Sequence, residues 1–420
     1  MPVDEQSELF HTGVARYLTE DLAGTGGSIK ESVEDFVVEE LPLYEPSGQG
    51  PHTFFEIEKT GISTFQALRS VAGALGVSPN RIGYAGLKDA QAVTCQVLSV
   101  EGVSPEAVMA LDLPAIQIRW AERHRNKLKI GHLRGNRFTI RIRGVDESAL
   151  ADCQALLEVL TRRGVPNRYG LQRFGQRGDS GVLGKAVVLG DTQGFIEQLV
   201  GRPHPHESET VQTARALVDE GDWSAALEYF PFSMADERRA LQALISSQGD
   251  YTAAYRSVPK RLKVFLLSAY QSVLFNRVLD ARLETLDQVF DGDLAMKHPG
   301  RSVFRVEDAA VEQPRADRFE ISPTGPIFGY KMIQPTGRQA ELEDRVLAAE
   351  GMVPEDFRVG RGIKAKGGRR ALRFPVYEPE LWWDEGLMLR FWLSKGSYAT
   401  ALLAEIMKVP LVPELPEDVT

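Results

Sequence analysis

Gly83-Tyr-Ala-Gly-Leu-Lys-Asp-Ala-Gln-Ala-Val-Thr-Cys-Gln96 places a single acidic side chain, Asp89, at the end of a glycine-punctuated turn (Gly83, Gly86), just before a strand-like run from Ala92 to Val100. A lone carboxylate on a tight loop at the mouth of a sheet is one way a fold presents a nucleophile or a base. Aspartate also caps turns, because its short side chain bonds nearby backbone groups. The company Asp89 keeps along the chain separates the two readings.

Working outward, residues 29–40 read as a turn feeding a strand centred on Phe36 to Val38, and Thr53 to Glu58 reads as a second strand. Ser63-Thr-Phe-Gln66 is a capping box, followed at helical spacing by Phe65, Leu68, Ala72 and Leu75. Ser104-Pro105 opens another helix, with Ser at N-cap and Pro at N1. Ile116 to Trp120 is strand-like. From Arg137 to Arg143, Phe138, Ile140 and Ile142 alternate with Arg137, Thr139, Arg141 and Arg143, the pattern of a half-buried antiparallel strand with a cationic outer face. Strands and helices thus intermix through the first 165 residues. From Val187 to Leu286 the patterns are mostly helical, including a long segment from Pro259. A charged, irregular stretch is expected from Asp287 to Glu320 and a turn at Pro323-Thr-Gly-Pro326, then a short helix from Gln339 to Glu350. Strand and helix signals return at Met388 to Leu393 and Tyr398 to Val409, so a differently composed segment interrupts a strand-rich domain whose last strand rejoins the first sheet.

At 420 residues the chain favours two domains. Its 43% apolar and 25% charged content is ordinary for a soluble protein, no apolar run is long enough to cross a bilayer, and the acidic N-terminus lacks an export pattern. The two cysteines, Cys95 and Cys153, form no spaced pattern, which fits a reducing cytoplasm and excludes a disulfide framework. The seven histidines are scattered, and no metal-binding set is visible. The net charge of −9 conceals two basic runs. Arg119 to Arg143 holds nine Lys/Arg against one acid, Glu122, and Arg358 to Arg373 holds seven and no acid. Such clustering on an acidic chain suits a polyphosphate backbone.

Four further segments accompany the Asp89 loop: Lys30 with Glu34-Asp-Phe-Val-Val-Glu39; Arg125-Asn-Lys-Leu-Lys-Ile-Gly-His-Leu-Arg-Gly-Asn-Arg-Phe138; Pro166-Asn-Arg-Tyr-Gly-Leu-Gln-Arg-Phe-Gly175; and Ser394-Lys-Gly-Ser-Tyr-Ala-Thr-Ala401. With Ala269-Tyr-Gln-Ser-Val-Leu-Phe-Asn276, and in this order, they resemble the motif set of the TruD family of pseudouridine synthases from about residue 29 to 407. The resemblance implies an α+β fold: a pseudouridine-synthase-like catalytic domain on a mixed, largely antiparallel sheet (residues 1–165 plus 372–420), interrupted by a family-specific α/β insertion (166–371). It implies a cytoplasmic isomerase acting on a D-arm uridine of tRNA, at position thirteen. Neither cofactor nor metal nor membrane is expected, since the uracil is detached, turned and rejoined through C5 with nothing oxidised or imported. The expected state is a monomer.

By the same resemblance Asp89 is the catalytic carboxylate, expected as nucleophile, and Lys30 its basic partner. A cation beside a buried carboxylate keeps it ionised. Lys88 ranks below Lys30, since neighbours on an extended chain point to opposite sides. Phe36 and Tyr398 would contact the uracil ring, Asn136 would pair with its edge, and Phe138 would line the site. Phe36 and Phe138 could equally be core residues of their strands, and Asn136 could hold a left-handed turn after Gly135. Arg125, Lys127, Lys129, Arg134, Arg361 and Lys364 are expected at the RNA backbone. Three positions depart from the family pattern: Val33 in place of Pro, Arg168 in place of an aromatic, and Tyr398 in place of Phe. A non-catalytic RNA-binding or RNA-chaperone protein of the same fold is the alternative. A glycosylase releasing free uracil is a third reading.

Overall fold

In a computed structural model, described for residues 16–409 other than 171, 172, 176 and 361, the chain forms two compact units. The first comprises Thr19–Val165 and Phe374–Val409. The second comprises Pro166–Arg373 with residues 16–18. Among the described residues, no helix is long and apolar enough to cross a membrane.

The first unit is built on one eight-stranded sheet. Its strands are β1 (Phe36–Pro42), β2 (His52–Thr60), β3 (Gly83–Tyr84), β4 (Val93–Glu101), β5 (Ile116–His124), β6 (Leu133–Ile142), β7 (Tyr377–Trp383) and β8 (Leu387–Ser394). Their order is β7-β8-β6-β1-β4-β2-β5, with β3 also on β4. Only β1 and β4 run parallel; every other pairing is antiparallel. This is the α+β class with a mixed sheet read from the sequence. β8 pairs with β6 along its length, from Leu387↔Ile142 to Ser394↔Gly135.

Helix α1 (Thr64–Ala74) starts where the capping box lies, with Ser63 accepting from the Gln66 amide and Gln66 from that of Ser63. Its buried stripe of Ala67, Leu68, Val71 and Ala72 packs on Phe55 and Ile57 of β2 and on Leu98 and Val100 of β4. Each fully buried Leu, Ile or Phe there contributes roughly 1.5–3 kcal/mol. Phe65 is off that stripe and 50% exposed, contrary to the expected spacing. Helix α2 (Pro105–Met109) begins at Ser104 as read, and α3 (Ala149–Arg163) and α4 (Ala399–Met407) complete the unit.

The second unit is mostly helical, with one large apolar cluster that the helix Lys260–Ala281 runs through and two smaller ones. It also holds a four-stranded antiparallel sheet of Gly368–Ala371, Ile321–Ile327, Leu294–Lys297 and Val303–Arg305. Two local expectations fail here. The stretch 287–320 contributes two of these strands and the helix Ala309–Asp317 rather than irregular chain. Pro323 and Pro326 lie not in a turn but in the strand Ile321–Ile327. Residues 321–323 pair with 295–297 and residues 324–327 with 368–371. Each half of the strand has a single partner, so a missing N–H on its open side breaks no ladder.

Candidate active site

The site lies in the first unit, at the starts of β1 and β4 and along β6. Two features fix the approach to β1. Asp35 is fully buried and accepts two hydrogen bonds from Arg143, Nε to Oδ2 at 2.8 Å and Nη2 to Oδ1 at 2.7 Å, plus one from the Ser32 amide at 3.0 Å. The Arg143 fork holds the Asp35 carboxyl below its ordinary range. The second feature is Lys30, which sits in the left-handed region at φ 62°. That conformation costs a non-glycine residue roughly 1–2 kcal/mol and marks a backbone held by its surroundings. From there the ammonium lies 4.4 Å from the centroid of the Phe36 ring and 3.3 Å from Oδ2 of Asp89.

The loop carrying Asp89 is held from below. Its neighbour Lys88 turns inward, away from the Asp89 carboxylate, and its ammonium meets Glu40 at 2.5 Å with both side chains almost wholly buried. Glu40 stands where β1 parts from β4. There it also accepts the Val97 amide at 3.4 Å, between the stretch of β4 paired with β1 and the stretch paired with β3. Burial pushes the Glu40 carboxyl up, with Lys88 opposing that push. Thr64, the first residue of α1, accepts the Lys88 amide at 2.9 Å and donates to Gln96 at 3.1 Å. Lys59 is fully buried and donates to the carbonyls of Asp89 (2.7 Å) and Ile62 (2.5 Å). Gly83 belongs to β3 rather than to a turn, and a Cβ there would lie 2.4 Å from the Leu128 carbonyl. The basic segment 125–134 therefore packs directly beside this loop, and the Gly131 amide bonds the Ala85 carbonyl at 2.7 Å.

On the third strand, Glu40↔Asn136, Val38↔Phe138 and Phe36↔Ile140 are register partners, so Phe36, Glu40, Asn136 and Phe138 share one face of the sheet. Asn136 has an ordinary strand conformation, which removes the left-handed-turn reading, and its Oδ1 has no hydrogen-bond partner. A Cβ on Gly135 would stand 2.0 Å from the Leu393 carbonyl, so only glycine lets β8 close on β6 here.

Phe36 and Phe138 are 2% and 8% exposed and meet edge to face at 6.2 Å, with Phe138 stacked on Phe391 at 5.4 Å. Both are therefore largely buried within the sheet, with the Lys30 ammonium over the Phe36 ring. Tyr398 stands at the N-cap of α4, 48% exposed. The Asp89 side chain is also 47% exposed, so the burial expected around it is not seen.

The cationic runs divide. Arg119 pairs with Glu58, Arg137 with Glu378, Arg141 with Asp384 and Asp35, and Arg143 with Asp35. These four arginines each have an acid partner within the fold, with Arg119 and Arg137 still 42% and 33% exposed. Arg125, Lys129 and Arg134 are exposed, Arg134 resting 4.5 Å from the Trp392 ring. Lys127 is half-buried and donates to the Asn80 carbonyl at 2.7 Å. Lys364, in the second unit, is exposed, and Arg361 lies outside the described residues. Among the described residues, no three His, Cys, Asp or Glu side chains are placed to hold a metal ion.

Sequence reasoning missed Lys59, Glu40 and Thr64. Period-2 alternation did carry a signal for Lys59, since it shares parity with the inward-facing Phe55 and Ile57.

The family model described as tRNA pseudouridine synthase D (TruD) matches residues 12–406. A protein from Geobacter metallireducens named tRNA pseudouridine synthase D is 49% identical over 398 residues, covering 94% of this chain and 98% of its own. Its namesake from Geobacter sulfurreducens is 48% identical, covering 94% and 97%. The crystal structure of a Methanosarcina mazei protein described as tRNA pseudouridine synthase D superposes with a TM-score of 0.88 at 29% identity, covering 98% of this chain and all of the other.

Proposed function

The chain belongs to the tRNA pseudouridine synthase D family of isomerases, and on that premise we propose that it converts a D-arm uridine of tRNA, at position thirteen, to pseudouridine with Asp89 as nucleophile. The observation that supports this assignment most is the Lys30 ammonium 3.3 Å from the Asp89 carboxylate, both side chains reaching solvent at the mouth of the sheet.

A uridine within folded RNA leaves its stack to be handled, which places its ribose over the Asp89 loop. The Asp89 carboxylate attacks C1′, the N1–C1′ bond breaks, and the electron pair stays on the uracil. The detached ring turns, C5 joins C1′ as the carboxylate leaves, and the C5 proton is lost while N1 takes one up. Nothing is oxidised or reduced. Lys30 orients the carboxylate through its 3.3 Å contact with Oδ2. The unpartnered Asn136 amide, on the same sheet face as Phe36, suits an N3–H/O4 edge. Tyr398 offers an exposed ring for stacking. Arg125, Lys129, Arg134 and Lys364, exposed, and Lys127, half-buried, serve phosphates.

The test is release of tritium from tRNA labelled at uridine C5, comparing wild type with Asp89→Ala, followed by mapping of the product base. Release by the wild type alone, with pseudouridine at position thirteen, is the expected result. No release with tRNA binding intact would instead identify an RNA-binding protein, and free uracil as product a glycosylase. A large rate reduction on deuterating C2′ would replace attack at C1′ by removal of the C2′ proton.

A further inference from the structure

Lys59 stands out among the buried polar groups. It is fully buried, yet both of its hydrogen-bond acceptors are backbone carbonyls, Asp89 at 2.7 Å and Ile62 at 2.5 Å. Taking an ammonium out of water costs several kcal/mol unless a counter-charge offsets it. Burial accordingly lowers the Lys59 ammonium to about 8, against the pull of the nearby Asp89 charge. A methionine of similar length would fill the same space without that penalty. A cation kept here, bonded to the main chain of the one residue assigned to the chemistry, is costly for packing and useful for catalysis.

We propose that Lys59 is a positioning residue for the isomerisation: it ties the Asp89 main chain to the turn between β2 and α1 and supplies a second positive charge beneath the carboxylate. This rests on the functional reading above. The surroundings leave the role to Lys59 alone. Thr94, its register partner on β4, is uncharged, as is Thr64 at the start of α1, and its β5 partner is Ile116. The charged groups near Lys59 are Asp89 and Lys88, and Lys88 is committed to Glu40. Lys30 approaches the carboxylate itself, at Oδ2. The two lysines therefore divide the work, Lys30 on the side chain and Lys59 on the main chain. The same tie places the loop at a fixed height above the sheet, because Lys59 stands opposite Thr94 near the start of β4.

The experiment uses full-length protein and C5-tritiated tRNA under single-turnover conditions, with Lys59→Met, Lys59→Arg and Asp89→Ala. Lys59→Met is expected to melt within a few degrees of wild type and to bind tRNA with a Kd within threefold. Its rate is expected to fall about 100-fold, as for a misplacement near 1 Å. Lys59→Arg, which keeps the charge and the donors, is expected to recover most of that loss. A Lys59→Met protein with wild-type rate would overturn the proposal. So would a rate loss that Lys59→Arg does not relieve, since that is the mark of packing alone. Should Lys59→Met not fold, Lys59→Gln carries the same readouts. Tritium release by Asp89→Ala would sink the functional reading itself, a result distinct from any outcome at Lys59.

Discussion

Glu40→Gln and Lys88→Met, singly and together, test whether the Asp89 loop stands on a buried ion pair. At 2.5 Å and an effective dielectric near 20, the two charges attract by about 7 kcal/mol. Desolvation of two side chains that are only 3% and 1% exposed takes back several kcal/mol for each ion, so the pair is close to neutral for stability. Removing one partner leaves the other charge buried with nothing to offset it. Each single variant is therefore expected to lose about 3–5 kcal/mol, while the double variant, with no buried charge left, loses only about 1–2 kcal/mol. That is a coupling of at least about 4 kcal/mol, inside the range measured for close charge pairs. For a unit of this size it corresponds to melting points lowered by roughly 6–20 °C in the singles and far less in the double. Thermal unfolding followed by circular dichroism, with urea titration as a second measure, reads the cycle. Because Lys88 adjoins Asp89, both singles should also lose tritium release more than tRNA affinity. Additive losses across the cycle would refute the reasoning, as would a Glu40→Gln protein within about 1 kcal/mol of wild type.

Asp35→Asn should lower stability at pH 7 by about 2–4 kcal/mol, since Arg143 loses its buried counter-charge. The folded carboxyl titrates below its ordinary value, so its stabilisation is present above about pH 4 and lost as pH falls through the folded value. The gap between variant and wild type should accordingly close in acid, and unfolding at pH 3 and pH 7 will measure it. Charge reversal at Lys129 and Arg134, and separately at Arg361 and Lys364, should weaken tRNA binding. It should also reduce the slope of log Kd against log salt by roughly 0.7–0.9 per contact removed, and an unchanged Kd at low salt would exclude those residues from the interface. Gly135→Ala forces a Cβ to within 2.0 Å of the Leu393 carbonyl, so β8 must shift. A loss of about 1–3 kcal/mol is expected, together with reduced turnover through Asn136, and hydrogen exchange along β8 should rise.

Much of this arrangement was legible because local physics and tertiary context agree. The alternation at 137–143 is β6, and the caps at Ser63 and Ser104 start the two helices they predict. The Asp89 loop precedes a real strand. What was not legible involves charges that are ordinarily exposed. Lys59 and Glu40 were not singled out, since a buried lysine or glutamate is rare without a partner and the Asp89 carbonyl and Lys88 lie tens of residues away. The arginines of 119–143 read as one open surface because their acids, Glu58, Asp35, Glu378 and Asp384, lie on other strands or turns. The strand Ile321–Ile327 was hidden because proline is a turn signal unless the strand is staggered, and stagger belongs to its neighbours.

The pairing of β6 with β8 has a consequence in time. During synthesis β6 emerges with one edge hydrogen-bonded to β1 and the other bare, and the strand that covers it ends roughly 250 residues later, from Ile142 to Ser394. At 5–20 residues per second that wait is about 12–50 s. Throughout it the nascent chain displays an unpaired strand edge next to Asn136 and Gly135, the type of surface that recruits other chains. The sheet is therefore completed only by the last strand among the described residues. A truncation before Leu387 would leave the Asp89 loop built but its sheet open at β6.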